Sequence, residues 1–264
     1  MKENPLVSVI IACYNGSNYI DSCLNSLVNQ SYCNIEILIC DDASIDDSFE
    51  KMVEWKNKDE RIIILRNETT LFAATTRNKC IEISHGDFIM IQDVDDISKI
   101  NRIEYLLQIL NDDTKVDFVS SAMEAFDKKP EAIFRTMKHT AEYPTKYNFL
   151  WNLPFHHPAT MFRKECIIAV GGYRVATETR RGQDYDMFMR MYAKGFRGRN
   201  IQEALYLFRF DDANIKRRTF KARIGEFEIR RKGFKAMGLM PWALPFLFKP
   251  FVAHIVQKIR YAKK

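Results

Sequence analysis

The feature that most restricts the fold is an alternation running through the first 96 residues. Leu6–Ala12 (Leu-Val-Ser-Val-Ile-Ile-Ala) is a short β-branched run, followed by the turn Cys13-Tyr14-Asn15-Gly16-Ser17. Ile20, Leu24, Leu27 and Val28 then recur at helical spacing. Ile35–Cys40 and Arg61–Leu65 are further apolar runs, and Phe88–Ile91 is a fourth; Asp46–Trp55 and Leu71–Ile83 read as the intervening helices. Near-continuous apolar strands separated by amphipathic helices predict an α/β fold, a doubly wound parallel sheet with right-handed crossovers. In such a sheet the strand C-termini share one edge, and ligands bind there.

Two strand ends are strongly acidic. The second run ends in Asp41-Asp42-Ala43-Ser44 and the fourth in Gln92-Asp93-Val94-Asp95-Asp96. Three carboxylates within four residues repel one another unless something positive sits among them. A divalent cation serves, and oxygen ligands favour Mg²⁺ or Mn²⁺. The plainer alternatives are an acidic helix start and an ordinary Asx turn. On the residues alone both remain open, although two acidic groups on one edge favour a shared crevice.

Beyond Asp96 the pattern loosens. Ile103, Leu106, Leu107 and Leu110 mark a helix, Asp117–Ser121 a strand, Thr160–Phe162 a short strand and Lys164–Val170 a short helix. Asp184–Lys194 is expected to be helical with Met187, Phe188 and Met191 inward, and Leu205–Phe210 a strand. Residues 124–155 read as irregular. At 264 residues and 47% hydrophobic, the chain can bury a full core. Six scattered cysteines without a C-x-x-C pair fit a reduced compartment, and Met1–Pro5 leads straight into the first strand. A cytoplasmic location follows as an expectation.

The net charge of +6 is unevenly placed. From Ala213 to Lys264 there are 14 Lys and Arg against two Asp and Glu, so the body is slightly acidic and the C-terminal segment strongly basic. Within it Met237–Val256 is apolar but interrupted by Pro241, Pro245, Pro250, Lys249 and His254. A spanning helix needs about 20 consecutive apolar residues. This composition suits docking in the plane of an anionic membrane surface. The alternatives are packing on the rest of the chain or on a second copy, giving a homodimer. Basic clusters alone do not argue for nucleic acid, and none is expected as a partner.

Seven motifs occur in a telling order: Ser8-Val9-Ile10-Ile11-Ala12-Cys13-Tyr14-Asn15, Cys40-Asp41-Asp42-Ala43-Ser44, Arg77-Asn78, Gly86-Asp87-Phe88-Ile89, Gln92-Asp93-Val94-Asp95-Asp96, Gly171-Gly172-Tyr173 and Gly182-Gln183-Asp184-Tyr185-Asp186. Over residues 6–212 the chain resembles the inverting GT-A glycosyltransferases of family 2. That resemblance implies a GT-A catalytic domain over 1–212, with a nucleotide-sugar-binding half (1–96) and an acceptor-binding half (97–212), and a basic helical tail over 213–264. It implies a UDP-sugar donor held by Ala12, Tyr14, Asn15, Asp41, Asp42, Arg77 and Asp93, with Asp42 on the uracil. Mn²⁺ or Mg²⁺ would be bound by Asp95 and Asp93 of the DxD pair, with Asp211 a further candidate. Asp184 would be the catalytic base, His157 would lie on the acceptor side, and Asp186 would be an acceptor-contacting or structural residue.

The chain departs from the family pattern at three places. Gln183 stands where Glu is usual, which leaves the base intact. Asp211 stands at the His of an R-x-H segment, and a glycine often found before the Arg-Asn helix is absent from Asn67-Glu68-Thr69-Thr70-Leu71. The expected activity is transfer of one sugar to a hydroxyl of a glycan acceptor, lipid-linked, on the inner face of the cell membrane. Two rivals are a sugar-nucleotide pyrophosphorylase, whose Gly-rich, Arg-containing loop is missing after the first strand, and a non-catalytic nucleotide-binding scaffold.

Overall fold

The structure, a computed structural model, describes residues 4–210 and 219–262, with side chains as far as residue 256. β1 (Val7–Cys13), β2 (Ile35–Asp41), β3 (Ile62–Arg66) and β4 (Phe88–Asp93) form a parallel sheet in the order β3-β2-β1-β4. The connections are α1 (Ile20–Val28), α2 (Ser48–Lys58) and α3 (Phe72–Ile83). Every side chain of β2 is buried, because helices cover both faces. Alternate residues serve opposite layers. Val9 and Ile11 pack with Leu24, Leu27, Met52 and Leu106 on one face. Ile10 packs with Cys80, Ile89 and Phe188 on the other.

After β4 the topology changes. A short β5 (Ile97–Ser98) and α4 (Arg102–Asp112) lead to β6 (Phe118–Phe126), β7 (Ile133–Met137) and β8 (Thr160–Arg163). β8 pairs antiparallel with both β4 and β6, so it joins the two halves into one nine-stranded sheet. α5 (Lys164–Ala169), α6 (Gln183–Ala193) and the 12-residue β9 (Gly198–Arg209) follow, with β9 parallel to β6. The segment expected to be irregular contains β7, whose residues are largely exposed and so carry no apolar alternation. β9 begins seven residues before the expected strand, because Arg199, Gln202 and Glu203 break its hydrophobic pattern.

The C-terminal segment does not behave as a separate tail. α7 (Phe220–Ala236) lies against α6 and the turn Glu178–Arg181. Two glycines allow the approach: a Cβ on Gly225 would sit 2.7 Å from the Glu178 carbonyl, and one on Gly233 2.4 Å from Met189 Sδ. Phe234, Met237, Leu239, Ala243 and Leu247 then enter the same core as Phe188. The segment thus packs on the rest of the chain, one of the alternatives left open for it. α8 (Leu244–Leu247) and α9 (Lys249–Ala262) complete the chain. Trp242, Leu244, Phe248, Val252 and Ile255 of this region remain exposed. Among the described residues, no helix is long and apolar enough to cross a membrane.

Candidate active site

The carboxyl edge of the parallel sheet gathers the acidic residues by register alone. Ala12 at the end of β1 is level with Asp93 of β4, and Cys13 is level with Asp41 of β2. Three non-glycine residues adopt left-handed backbone angles along this edge: Asn15 (φ 51°), Ala43 (φ 58°) and Phe72 (φ 66°). Such conformations are costly for bulky residues and are held by the surrounding structure. Asn15 is held by Ser44 Oγ on its N–H (2.9 Å) and by the Ile45 N–H on its side chain (3.0 Å). Tyr14 stands beside it, 52% exposed.

Asp41 and Asp42 do different work. Asp41 is fully buried, accepts the Ser44 N–H (3.2 Å) and pairs with Arg66 (3.2 Å), which shapes the loop. Asp42 Oδ1 accepts from Asn67 Nδ2 (2.7 Å) and the Leu71 N–H (2.8 Å), and Oδ2 from the Phe72 N–H (2.9 Å). Its carboxylate thus ties the β2 and β3 loops to the start of α3, where the helix dipole favours it.

The acidic turn after β4 rests on a buried polar platform. Arg102, fully buried, donates to Gln92 Oε1 (2.8 Å) and to the carbonyls of Ile91 (2.9 Å) and Pro158 (2.7 Å), and stacks over Tyr206. Burial lowers its pKa to about 10. Tyr206 Oη accepts the Asp93 N–H (3.1 Å). From β9, Arg209 gives its backbone N–H to Asp96 (2.6 Å) and its side chain to the Asp95 carbonyl (3.0 Å). Asp96 is therefore a strut between the turn and β9. Burial, and then the neighbouring Asp95 and Asp93, push its pKa well up. Burial, followed by Asp93, also raises Asp95 to about 6.

Across from this turn lies the second acidic element. A cavity of about 910 Å³ is lined by Arg77 and Asp93 on one wall, His157 on another, and Gln183 and Asp184 at the start of α6. Arg77 of α3 is buried and pairs with Asp93 at 2.6 Å. Gln183, with its amide oriented to satisfy both ends, accepts from Arg77 at 3.2 Å and donates to the Thr179 carbonyl at 3.3 Å. A neutral amide there leaves the Arg77 charge to Asp93. His157 Nε2 meets Tyr173 Oη at 2.6 Å, and burial followed by the Arg77 charge lowers its pKa to about 4. Asn78 in turn binds both backbone groups of Tyr173 (2.8 and 2.9 Å). The Arg-Asn pair thus links the acidic turn to the Gly-Gly-Tyr turn.

Not every expected residue reaches this cavity. Ala12, Tyr14, Asn15, Asp41 and Asp42 belong to the neighbouring strand edge, and Asp95, two residues after Asp93, is outside the cavity lining. For Asp186 the structure favours the structural role: it is buried between Arg174 (2.8 Å) and Arg190 (2.7 Å), outside the cavity lining, and braces α6. His156 points away from His157, stacking on His139 with centroids 4.2 Å apart, as neighbours on an extended segment should. Asp211 lies outside the described residues. Gln92 and Tyr173 stand in the sequence motifs without a role of their own, and Arg102, Tyr206 and Arg209 escape sequence reasoning, since their contacts join distant segments. The one available signal was an Arg in the first turn of an otherwise apolar helix face.

This edge-plus-cavity arrangement can be set against known proteins. The family model described as "Glycosyl transferase family 2" matches residues 8–171. The chain belongs to that family. It is 34% identical over 212 residues to a putative glycosyltransferase, EpsE, of Bacillus subtilis, covering 80% of this chain and 75% of that one. It is 37% identical over 108 residues to the UDP-Glc:alpha-D-GlcNAc-diphosphoundecaprenol beta-1,3-glucosyltransferase WfgD of Escherichia coli, 41% of this chain and 42% of that one. Among solved structures, TarS 1–349 of S. aureus with UDP-GlcNAc superposes with a TM-score of 0.73 at 16% identity, covering 92% and 72%. A mannosyltransferase of Pyrobaculum calidifontis with GDP-Man and Mn²⁺ gives 0.68 at 18%, covering 97% and 76%. The fold is GT-A, and the protein is a glycosyltransferase.

Proposed function

We propose that this enzyme is an inverting, metal-dependent transferase that moves one sugar from a UDP-sugar to a hydroxyl of a glycan carried on a diphosphate lipid, at the inner membrane surface. The observation that carries the reading is that Asp93, from the end of β4, and Asp184, from the start of α6, face one cavity. UDP rests on likeness to TarS and WfgD, and the lipid-linked acceptor on likeness to WfgD. Asp42, Asp41, Tyr14 and Asn15 would cradle the nucleoside.

The residues present suit a hard dication. Asp95 is a poorly solvated carboxylate crowded by Asp93, a charge arrangement that a cation relieves. Among the described residues no three His, Cys, Asp or Glu converge, so the remaining ligands would come from the donor diphosphate and water. Asp95 and Asp93 would hold Mn²⁺ or Mg²⁺, which supplies charge stabilisation to the departing UDP. Arg77 orients Asp93 for that task. Asp184 takes the proton from the acceptor hydroxyl as it attacks the anomeric carbon from the face opposite UDP. Attack from that face inverts the anomeric configuration.

The exposed apolar side chains from Trp242 to Ile255, beside basic residues, support contact with anionic lipid. The test of the whole reading is UDP release from a panel of nucleotide sugars with a diphosphate-lipid glycan. One UDP-sugar should be consumed, chelator should stop the reaction, and Mn²⁺ or Mg²⁺ should restore it. Undiminished turnover in excess chelator rules out the metal role.

A further inference from the structure

Beside the cavity at Asp93 lies a second one of about 360 Å³, lined by Asn152, Leu153, Arg181, Asp184, Glu226 and Arg230. The two share Leu153, Arg181, Gly182, Asp184 and Ala222, so Asp184 stands at their junction. The second cavity does not touch Asp93. A group placed there is on the acceptor side of the base.

The charges around it are unequal. Glu178 is already shared by Arg174 (2.7 Å) and Lys232 (2.6 Å). Glu226 is shared by Arg223 (3.2 Å) and Arg230 (3.4 Å). Arg180 lies flat over Phe72. Arg181, exposed, lines both cavities, and exposed Lys221 lines the first; among the described residues neither has a carboxylate within ion-pair distance. Two uncompensated cations beside a catalytic carboxylate attract an anion, and charge-assisted bonds to phosphate oxygens are the strong kind.

Where the second cavity ends, an apolar surface begins. Asn152 of its wall accepts from Lys249 (2.8 Å), and the adjoining Trp151 sets its ring edge on Phe246, centroids 5.0 Å apart. Trp151, Trp242, Leu244 and Phe248 are all more than 45% exposed. Asp184 and Arg181 thus stand where the two cavities meet, Lys221 lines the first beside the shared Ala222, and the apolar surface adjoins the second.

We infer that Arg181 and Lys221 form the subsite for the acceptor's diphosphate, with its lipid leaving over Trp151 and the α8 region. This rests on the proposed lipid-linked acceptor. It separates the acceptor's diphosphate, at Arg181 and Lys221, from the donor's, at Asp93.

Farnesyl diphosphate is a suitable probe, titrated in saturating UDP and Mn²⁺. Binding should persist under UDP, and Arg181→Gln with Lys221→Gln should weaken it about 10-fold or more, since each tenfold loss is one charge-assisted bond's worth. UDP affinity and melting temperature should not move, and farnesol should bind both proteins alike. Displacement of the probe by UDP would place these cations on the donor instead and overturn the assignment. Equal affinity in the double variant would overturn it too. If the probe binds as described but no diphosphate-lipid glycan accepts sugar, the subsite stands and the acceptor reading falls. If a neutral alkyl glycoside accepts sugar while the probe fails to bind, the subsite falls and the transferase reading stands.

Discussion

At the scale of single residues, the two aspartates at the start of α6 divide structure from chemistry. Asp184 faces the cavity, whereas Asp186 is enclosed by Arg174 and Arg190. Asp186→Ala should lower stability by about 2 kcal/mol, less than a fully buried pair because both arginines are about one-quarter exposed. Turnover per folded molecule should hold, measured as UDP release normalised to active protein; selective loss of turnover would return Asp186 to the site. The histidines give a pH signature. His156 is lowered to about 4 by burial and then by His139. Between about 6.5 and 4 the unfolded chain holds a proton on it that the folded chain does not, so this contribution is full above 6.5 and lost as pH falls. Asp95 and Asp96, raised by burial, pull the other way. The comparison that isolates His156 is His156→Gln. Its unfolding free energy from urea titrations should fall less than the wild type's between pH 7 and pH 5, by an amount on the order of 1 kcal/mol. Parallel slopes would mean the ring is solvated.

At the scale of elements, β1 to β4 and their helices were legible because both faces of each strand are buried, which leaves an uninterrupted apolar run. The acidic strand ends were legible because strand direction alone puts Asp41, Asp42 and Asp93 on one edge. β7 was not, since its residues face solvent. Nor was the platform beneath the acidic turn, where Arg102 and Tyr206 meet across 104 residues of chain. The C-terminal segment left packing and membrane contact both open for a physical reason. Its apolar residues divide between Phe234, Met237, Leu239 and Leu247, which fill the core, and Trp242, Phe248 and Val252, which do not. Composition counts both alike. A chain cut before Met237 should therefore lose its cooperative melting transition, since three large core side chains, Met237, Leu239 and Leu247, go at several kcal/mol together. A chain ending at Lys249 should melt cooperatively and keep its UDP affinity, while binding anionic vesicles less well. Normal melting of the shorter chain would mean the tail is dispensable packing.

At the scale of the whole molecule, one continuous sheet carries two functions. Its parallel half presents carboxylates at strand ends, and β8 fastens to it an antiparallel half that carries α6 across the cavity. α7 and the region after it brace α6 from outside and end in an apolar surface, so the start of α6, the acidic turn and that surface belong to one packed body. The claim on which the rest depends is that Asp184 removes the acceptor's proton. Asp184→Asn keeps the size of the side chain and its place at the start of α6 but cannot take a proton. The decisive measurement is acceptor-dependent UDP formation by this variant under saturating donor and Mn²⁺. A fall of about 10² or more, with UDP affinity unchanged, is the expected result. Turnover within a few-fold of wild type would contradict it and place the base elsewhere.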